Sequence, residues 1–342
     1  MAESNQFRTY DTRWPGDATA AGLVEQLSQQ ITMIDPDDTP GWALFAKEQI
    51  SGPLFDWPID SLAATSTAAT AEGAQYSDIV STLSTRKRLR NNTQIFASGF
   101  SVSRTDQIVA ARGGVAGVRN EYQYQATKKM KELLRNIDAR IFANGASASA
   151  ATGNQSGTAV TARRMGALRG FTAAGSAVIS SAINGAFATA SFASLHELMD
   201  QEGASPDTLF VSSGVKADIT NLILNNNAST FGASALRRVN MGADTNSWNG
   251  TIDVIDNDFG RVMIVRDRWI PQSAATGTTG IAADNAGYFL LDRAMVKIAV
   301  LDAPSHIPLP PDGLLERGAV NAEVSLKLLH PSAVGIGMSV TT

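Results

Sequence analysis

Cysteine is absent from the 342 residues, which excludes disulfide frameworks, thiolate nucleophiles and the common zinc sites together. Histidine is scarce: His196, His306 and His330 are the whole supply, and none has a second histidine at ligand spacing. No zincin-type metal site is therefore expected. Charge is also thin, since Asp, Glu, Lys and Arg make up 18% of the chain where an average soluble domain has about 25%. So few charges suggest that much of the surface faces other protein. The net charge of −4 argues against an electrostatic nucleic-acid binder, so any contact with DNA should be weak and non-specific. No stretch approaches the roughly 18 to 20 consecutive apolar residues of a bilayer span. The first thirty residues show no basic start followed by an apolar run, so no secretory signal is read. The expectation is a chain made and kept in the cytoplasm, with no membrane partner.

What is present is 44% apolar, enough for a substantial core in one large domain or two ordinary ones. Residues 1–48 read as an arm broken by Pro15, Gly16, Pro36, Pro40 and Gly41, with one helical stripe at Leu23, Leu27 and Ile31. From Leu54 to Ile59 apolar and polar residues alternate, placing Phe55, Trp57 and Ile59 on one face of a strand. Small residues fill 61–77, and a second extended stretch runs from about Thr82 to Arg104 through Arg86, Lys87, Arg88 and Arg90. The two predict a long hairpin, which in isolation is marginal in water and needs a neighbour to lie on. Val115 to Asn144 carries apolar residues at three- and four-residue steps, Val118, Tyr122, Ala126, Met130, Leu133, Ile137 and Ile141, predicting one amphipathic helix ended by Gly145.

Residues 145–191 read as loops and short pieces. Phe192 to Glu202 resumes helical spacing, Thr208 to Val211 suits a buried central strand, and Ser212 or Ser213 can cap a helix carrying Val215, Ile219, Leu222 and Ile223. Thr251–Ile255 and Arg261–Val265 flank a turn cluster and predict a hairpin. Gly287–Leu291 and Ala294–Leu301 read as another strand pair, Pro304–Pro311 as forced extended chain, and Val320–Leu329 as a long strand before a short one near Gly335–Val340.

Chemistry is hard to find. No P-loop occurs, and Gly335 with Gly337 lacks the third glycine and following helix of a dinucleotide fold. Asp258-Phe259-Gly260 has the letters of a kinase magnesium motif but no catalytic loop before it, so it reads as a turn. Asp35, Asp37 and Asp38 lack the glycine of a calcium loop, with Pro40 in its place, and read as a solvated acidic turn. Gly145 to Ser149 ends in serine where a nucleophile elbow needs glycine. No catalytic residue, cofactor or metal is assigned, and the chain is not expected to be an enzyme. The basic run Arg86 to Arg90 contains no aromatic for base stacking. It reads as a set of intersubunit ion-pair partners, able to grip acidic residues of the next subunit, or as a solvated face.

Local sequence points further. Asp56-Trp57-Pro58-Ile59-Asp60-Ser61-Leu62-Ala63-Ala64, then Ala71-Glu72-Gly73-Ala74 and Asn92-Thr93-Gln94-Ile95, resembles the extended loop of a phage capsid family. Ala139 to Gly145, with Thr161-Ala162-Arg163-Arg164-Met165-Gly166-Ala167-Leu168, is similar to its spine-helix end and following loop, and Pro206 to Ile219 to the start of the axial domain. In order and spacing the chain resembles the Hong Kong 97 capsid fold of tailed bacteriophages. The resemblance implies an α+β major capsid protein with an N-terminal arm (1–48), an extended loop (49–104) and a peripheral domain (105–191) whose spine helix spans about 115–144. An axial domain (192–290) and return strands of the peripheral domain (291–342) complete it.

It implies pentamers and hexamers in an icosahedral head around double-stranded DNA, with portal and scaffolding proteins as partners and decoration proteins as a further option. No fused scaffold segment is read at the N-terminus. Covalent cross-linking is not expected, because Lys87 is the only lysine between residues 50 and 100. The intersubunit contact candidates are Phe55, Trp57, Arg86, Lys87, Arg88 and Arg90. The alternatives are an encapsulin-like compartment of the same fold, or a tail protein, which the long helix opposes.

Overall fold

A computed structural model gives the architecture; it describes residues 35–62, 67, 69–75, 86–113, 120–142, 157–158, 161–173, 179–185, 187, 189–224, 253–270 and 286–340. The helical stripe Ala21–Met33, the small-residue stretch 61–77 in part, and the loop 145–149 lie outside these residues.

The spine helix is the element around which the rest is arranged. It runs Glu121–Phe142, 22 residues or about 33 Å, and starts where the Asn120 side chain accepts from the Gln123 N–H at 3.0 Å, an N-cap. The sequence reading began the helix at Val115. The structure instead opens it at the Asn120 cap and places a separate helix, Arg104–Gly113, before it. That earlier helix is held by its own cap, Ser103 Oγ accepting from the Asp106 N–H. The apolar stripe behaves as its spacing requires: Leu133, Ile137, Ile141 and Phe142 are buried. At about 1.5–3 kcal/mol per large apolar side chain, these four account for roughly 6–12 kcal/mol of gross stabilisation.

Among the described residues the α-helices are numbered α1 (Pro40–Leu44), α2 (Arg104–Gly113), α3 (the spine), α4 (Thr189–Gln201) and α5 (Ser213–Leu224). The strands are β1 (Ala46–Gln49), β2 (Leu54–Ile59), β3 (Lys87–Asn92), β4 (Gln94–Ser103), β5 (Ile179–Gly185), β6 (Thr208–Val211), β7 (Val254–Asn257), β8 (Gly260–Arg266), β9 (Ala286–Leu291), β10 (Val296–Asp312), β11 (Leu315–Leu328) and β12 (Val334–Val340). They form a four-stranded sheet ordered β1-β10-β11-β4, a six-stranded sheet ordered β5-β12-β9-β6-β8-β7, and the two-stranded ribbon β2-β3.

The spine helix packs on β4, β10 and β11 of the four-stranded sheet. One hydrophobic core joins the spine, the ribbon and that sheet to Phe210, Phe289 and Ile336 of the six-stranded sheet. A second core fills the space between α4, α5 and the six-stranded sheet around Leu195, Met199, Leu209 and Tyr288.

Several expectations are met locally. Thr208–Val211 is buried at every position and central in its sheet. α4 stops at Gly203, whose φ of +83° is one that glycine adopts without penalty. Ser212 Oγ accepts from the Val215 N–H, as a cap of α5 should. β7 and β8 close through Asp258-Phe259, with Gly260 at φ +146°. Other expectations are corrected. Gly287–Leu291 and Ala294–Leu301 are not partners: β9 lies between β12 and β6, whereas β10 lies in the other sheet. Residues 145–191 contain a strand, β5, that pairs parallel with β12. The C-terminal strand β12 joins the six-stranded sheet and not its sequence neighbours β10 and β11.

Candidate assembly surface

The ribbon β2-β3 holds five of the six contact candidates, with Arg86 immediately before β3, and gives its two faces opposite chemistry. Its register sets Asp56 opposite Arg90, Trp57 opposite Leu89, Pro58 opposite Arg88 and Ile59 opposite Lys87. Successive side chains alternate sides, so Asp56, Arg88 and Arg90 share the outer face while Trp57, Ile59 and Leu89 share the inner one. The inner three are buried. Trp57 is directed into its own subunit: its ring stacks at 5.4 Å on Phe55 and packs at 6.2 Å from Phe171. Its Nε1–H donates to the Leu328 carbonyl at 2.8 Å. Its side chain is thus engaged at home, and of the two aromatic candidates only Phe55 keeps a half-buried ring. Lys87, grouped with the arginines by sequence, sits across from Ile59 on the other face.

The arginines find carboxylates in their own chain. Arg90 grips Asp56 with two bonds, Nε to Oδ1 at 2.9 Å and Nη2 to Oδ2 at 3.1 Å. Arg88 Nη1 reaches Asp56 Oδ2 at 3.5 Å, and Arg86 Nε reaches Asp60 at 3.1 Å. The Arg90 guanidinium holds the Asp56 carboxyl below the usual aspartate range, with Arg88 adding to it. All three arginine side chains remain more than half exposed, so these pairs are individually worth little. Two carboxylates against three guanidiniums leave this face net positive.

At its root the ribbon is fastened by a buried polar network that the sequence reading missed. Asn91, fully buried, makes all four bonds its amide can make. Nδ2 donates to the Leu326 carbonyl at 2.6 Å and the Gly166 carbonyl at 3.2 Å. Oδ1 accepts from the Asn92 N–H at 2.9 Å and the Gly166 N–H at 2.8 Å. Ser325 Oγ donates to the Asn92 carbonyl, and Thr93 Oγ1 and Arg163 both donate to Glu323. The only signal available was the run Asn91-Asn92-Thr93 between two strands, where polar residues would otherwise be read as a turn.

Away from the ribbon, the far end of β10 and β11 exposes Ile307, Leu309, Leu314 and Leu315, and α2 exposes Ile108 and Val109. The Arg104 N–H donates to the Leu314 carbonyl, so the start of α2 adjoins this apolar tip. The stretch 304–311 is extended, as its prolines require, and forms part of the long strand β10 paired with β11. The N-terminal segment is tied down by ion pairs: Asp37 to Lys131 at 2.8 Å, Asp38 to Arg268 at 3.3 Å, and Glu48 to Lys297 and Lys327. Asp37 and Asp38 are therefore clamps onto the spine and the six-stranded sheet.

The histidines are dispersed. His196 Nδ1 meets Asn257 Nδ2 at 3.0 Å, His306 Nε2 meets Tyr122 Oη at 3.0 Å, and His330 Nδ1 accepts from the Ser332 N–H. Among the described residues no group of three or more His, Cys, Asp or Glu could hold a metal ion. No helix among them is long and apolar enough to cross a membrane.

An α+β body organised on a spine helix, with a two-stranded ribbon rooted in its core, is the architecture of Hong Kong 97-fold phage capsid subunits, and solved structures match it. The capsid of a native GTA particle superposes with a TM-score of 0.59 at 13% identity, covering 95% of this chain and 97% of that one. The Cyanophage A-1(L) capsid gives 0.60 at 14% identity, covering 94% and 98%. The major capsid protein of Escherichia phage Phieco32 is 24% identical over 375 residues, covering 98% of this chain and 97% of the relative. A model of the SU10 major capsid protein family matches residues 4–341. The chain belongs to that family: it is a major capsid protein, a structural subunit that assembles in many copies into the shell of a phage virion.

Proposed function

We propose that the chain forms pentamers and hexamers of an icosahedral head that encloses double-stranded DNA, assembled in the host cytoplasm with scaffolding and portal proteins. Decoration proteins would bind the finished shell, and contact with DNA would be weak and non-specific. In this reading residues 49–104 act as the extended loop, residues 105–191 and 291–342 as the peripheral domain, and residues 192–290 as the axial domain. The observation that carries it is the ribbon. A two-stranded hairpin has one face locked to its own body and the other presenting Arg86, Arg88 and Arg90, partly neutralised and exposed. Phe55 and Lys87 lie on the other face, with Trp57 and Ile59, at its half-buried and exposed positions.

Exposed cross-strand pairs cost little to exchange for acidic partners on a neighbouring subunit, so the face suits contact formed on assembly. The outer edge of β4 and the apolar tip around Leu309 and Leu314 are further surfaces that a closed shell would cover. The test is electron microscopy and sedimentation of the purified chain expressed with and without its scaffolding protein. Closed particles that hold DNA after packaging support the reading. Monomers at every concentration, or shells holding protein cargo and no DNA, overturn it.

A further inference from the structure

Asp138 lies on the buried stripe of the spine helix and is fully inaccessible, as is Asp267 at the end of β8. The two carboxyl groups are within hydrogen-bonding reach of one another. Each has one oxygen with ordinary donors. Asp138 Oδ1 accepts from the Trp42 N–H at 2.7 Å, with the Gly41 N–H beside it, and Asp267 Oδ1 accepts from the Trp269 N–H at 2.8 Å. The other oxygen of each, Oδ2, is buried and meets no donor. An ionised carboxylate only accepts, so two of them face to face in a dry site would repel and stay unsatisfied.

We propose that Asp138 and Asp267 share one proton, and that this acid–carboxylate hydrogen bond is a latch joining three parts of the subunit: the N-terminal segment 38–42, the spine helix, and the six-stranded sheet. The proton sits on Asp138, which donates to Asp267, and its removal at alkaline pH loosens the joint.

The surroundings fit a built device. Gly41 is placed so tightly that a Cβ would come within 2.6 Å of Asp138 Oδ1 and 2.8 Å of Phe142, so the N-terminal segment packs directly on the Oδ1 side of Asp138. Trp269 donates its indole N–H to the Asp38 carbonyl at 2.8 Å, a second tie between the N-terminal segment and the chain that follows β8. The charged group that faces the pair from the N-terminal segment is Asp38, itself paired with Arg268 at 3.3 Å; elsewhere on these elements Asp37 pairs with Lys131 at 2.8 Å and Arg135 lies over the Trp269 ring at 5.3 Å. The negative charge of Asp38 registers on Asp267. Burial, the largest cause, with the charge of Asp267 next, pushes Asp138 up to about 8. Burial likewise lifts Asp267 to about 6.

Both folded values lie above the ordinary aspartate range, so the stabilisation is complete in acid and is lost as pH rises through them. Between about pH 6 and pH 8 local opening releases roughly one proton. The opening equilibrium should therefore rise about tenfold per pH unit, or roughly a hundredfold across that window.

The experiment is hydrogen exchange of the Trp42 and Trp269 amides in the full-length chain, corrected for intrinsic base catalysis, with infrared spectroscopy of the same samples. Expected are that hundredfold loss of protection and a protonated-acid carbonyl band at pH 7 in the wild type. Asp138→Asn should abolish both the pH slope and the band while keeping protection, because its amide N–H replaces the shared proton. Protection that is flat between pH 6 and pH 8 in the wild type, or a band that survives Asp138→Asn, overturns the proposal. Should Asp138→Asn fail to fold, the wild-type exchange profile alone decides.

Discussion

Replacing Asn91 by leucine tests whether the ribbon is held rigidly or merely rests on its body. Leucine keeps the branching of the amide, though it is bulkier, and makes none of its four bonds. The buried Gly166 N–H then loses its acceptor at a cost of about 1–3 kcal/mol. The carbonyls of Gly166 and Leu326 and the N–H of Asn92 each lose a bond worth about 0.5–1.5 kcal/mol net. The expected destabilisation is about 3–7 kcal/mol, a large share of the roughly 5–15 kcal/mol that domains possess. At about 2 °C per kcal/mol for a chain of this size, the thermal midpoint of the unassembled subunit should fall by roughly 6–14 °C.

Arg90→Ala, one residue along and on the opposite face, is the internal control. It removes an exposed ion pair worth about 0.2–1 kcal/mol and should move the midpoint by no more than roughly 2 °C. Differential scanning fluorimetry of both variants, with limited proteolysis to locate where the chain is cut, reads the difference. If Asn91→Leu melts within a degree or two of Arg90→Ala, the network at the root of the ribbon contributes nothing and its described role is wrong.

Deleting residues 61–77 should leave the subunit folded, with unchanged circular dichroism, yet stop it forming closed shells in negative-stain images; normal particles would remove the ribbon from the assembly argument. Gly41→Ala should cost about 1–3 kcal/mol by overpacking, because its Cβ would meet Asp138 and Phe142, and a thermal midpoint equal to wild type would contradict the packing. Glu48 is held below the ordinary glutamate range, Lys327 first and Lys297 with it. The grip of β1 on β10 and β11 is therefore full at neutral pH and weakens as pH falls into and below that range. Glu48→Gln should flatten this acid limb in a pH series of midpoints, and an unchanged limb would assign it elsewhere.

What the sequence determined by itself is whatever depends on neighbours along the chain. The alternation of Phe55, Trp57 and Ile59, the spine stripe through Leu133, Ile137 and Ile141, the solid apolar run Leu209-Phe210-Val211 and the turn at Asp258-Phe259-Gly260 were legible because side-chain periodicity and turn conformation are local properties. The order of such elements, with the quoted stretches around Trp57 and Arg163, also made the capsid fold recognisable.

Only the tertiary structure decided which strands pair. β9 and β10 are almost adjacent in sequence yet serve different sheets, and β12 leaves its neighbours to lie between β5 and β9. Pairing of that kind is set by which apolar faces must be buried together, a balance that no single window of residues contains. The same holds for the assembly surface. Trp57 looked available to a neighbouring subunit until its bond to Leu328, 271 residues away, placed it in its own core. Arg90, read as a partner for acidic residues of the next subunit or as part of a solvated face, has a carboxylate of its own chain, Asp56, across the ribbon. Burial beside Asp267 makes Asp138 a different chemical group from a surface aspartate, because a carboxyl's charge depends on the dielectric and the donors around it, and those are supplied by parts of the chain far away in sequence.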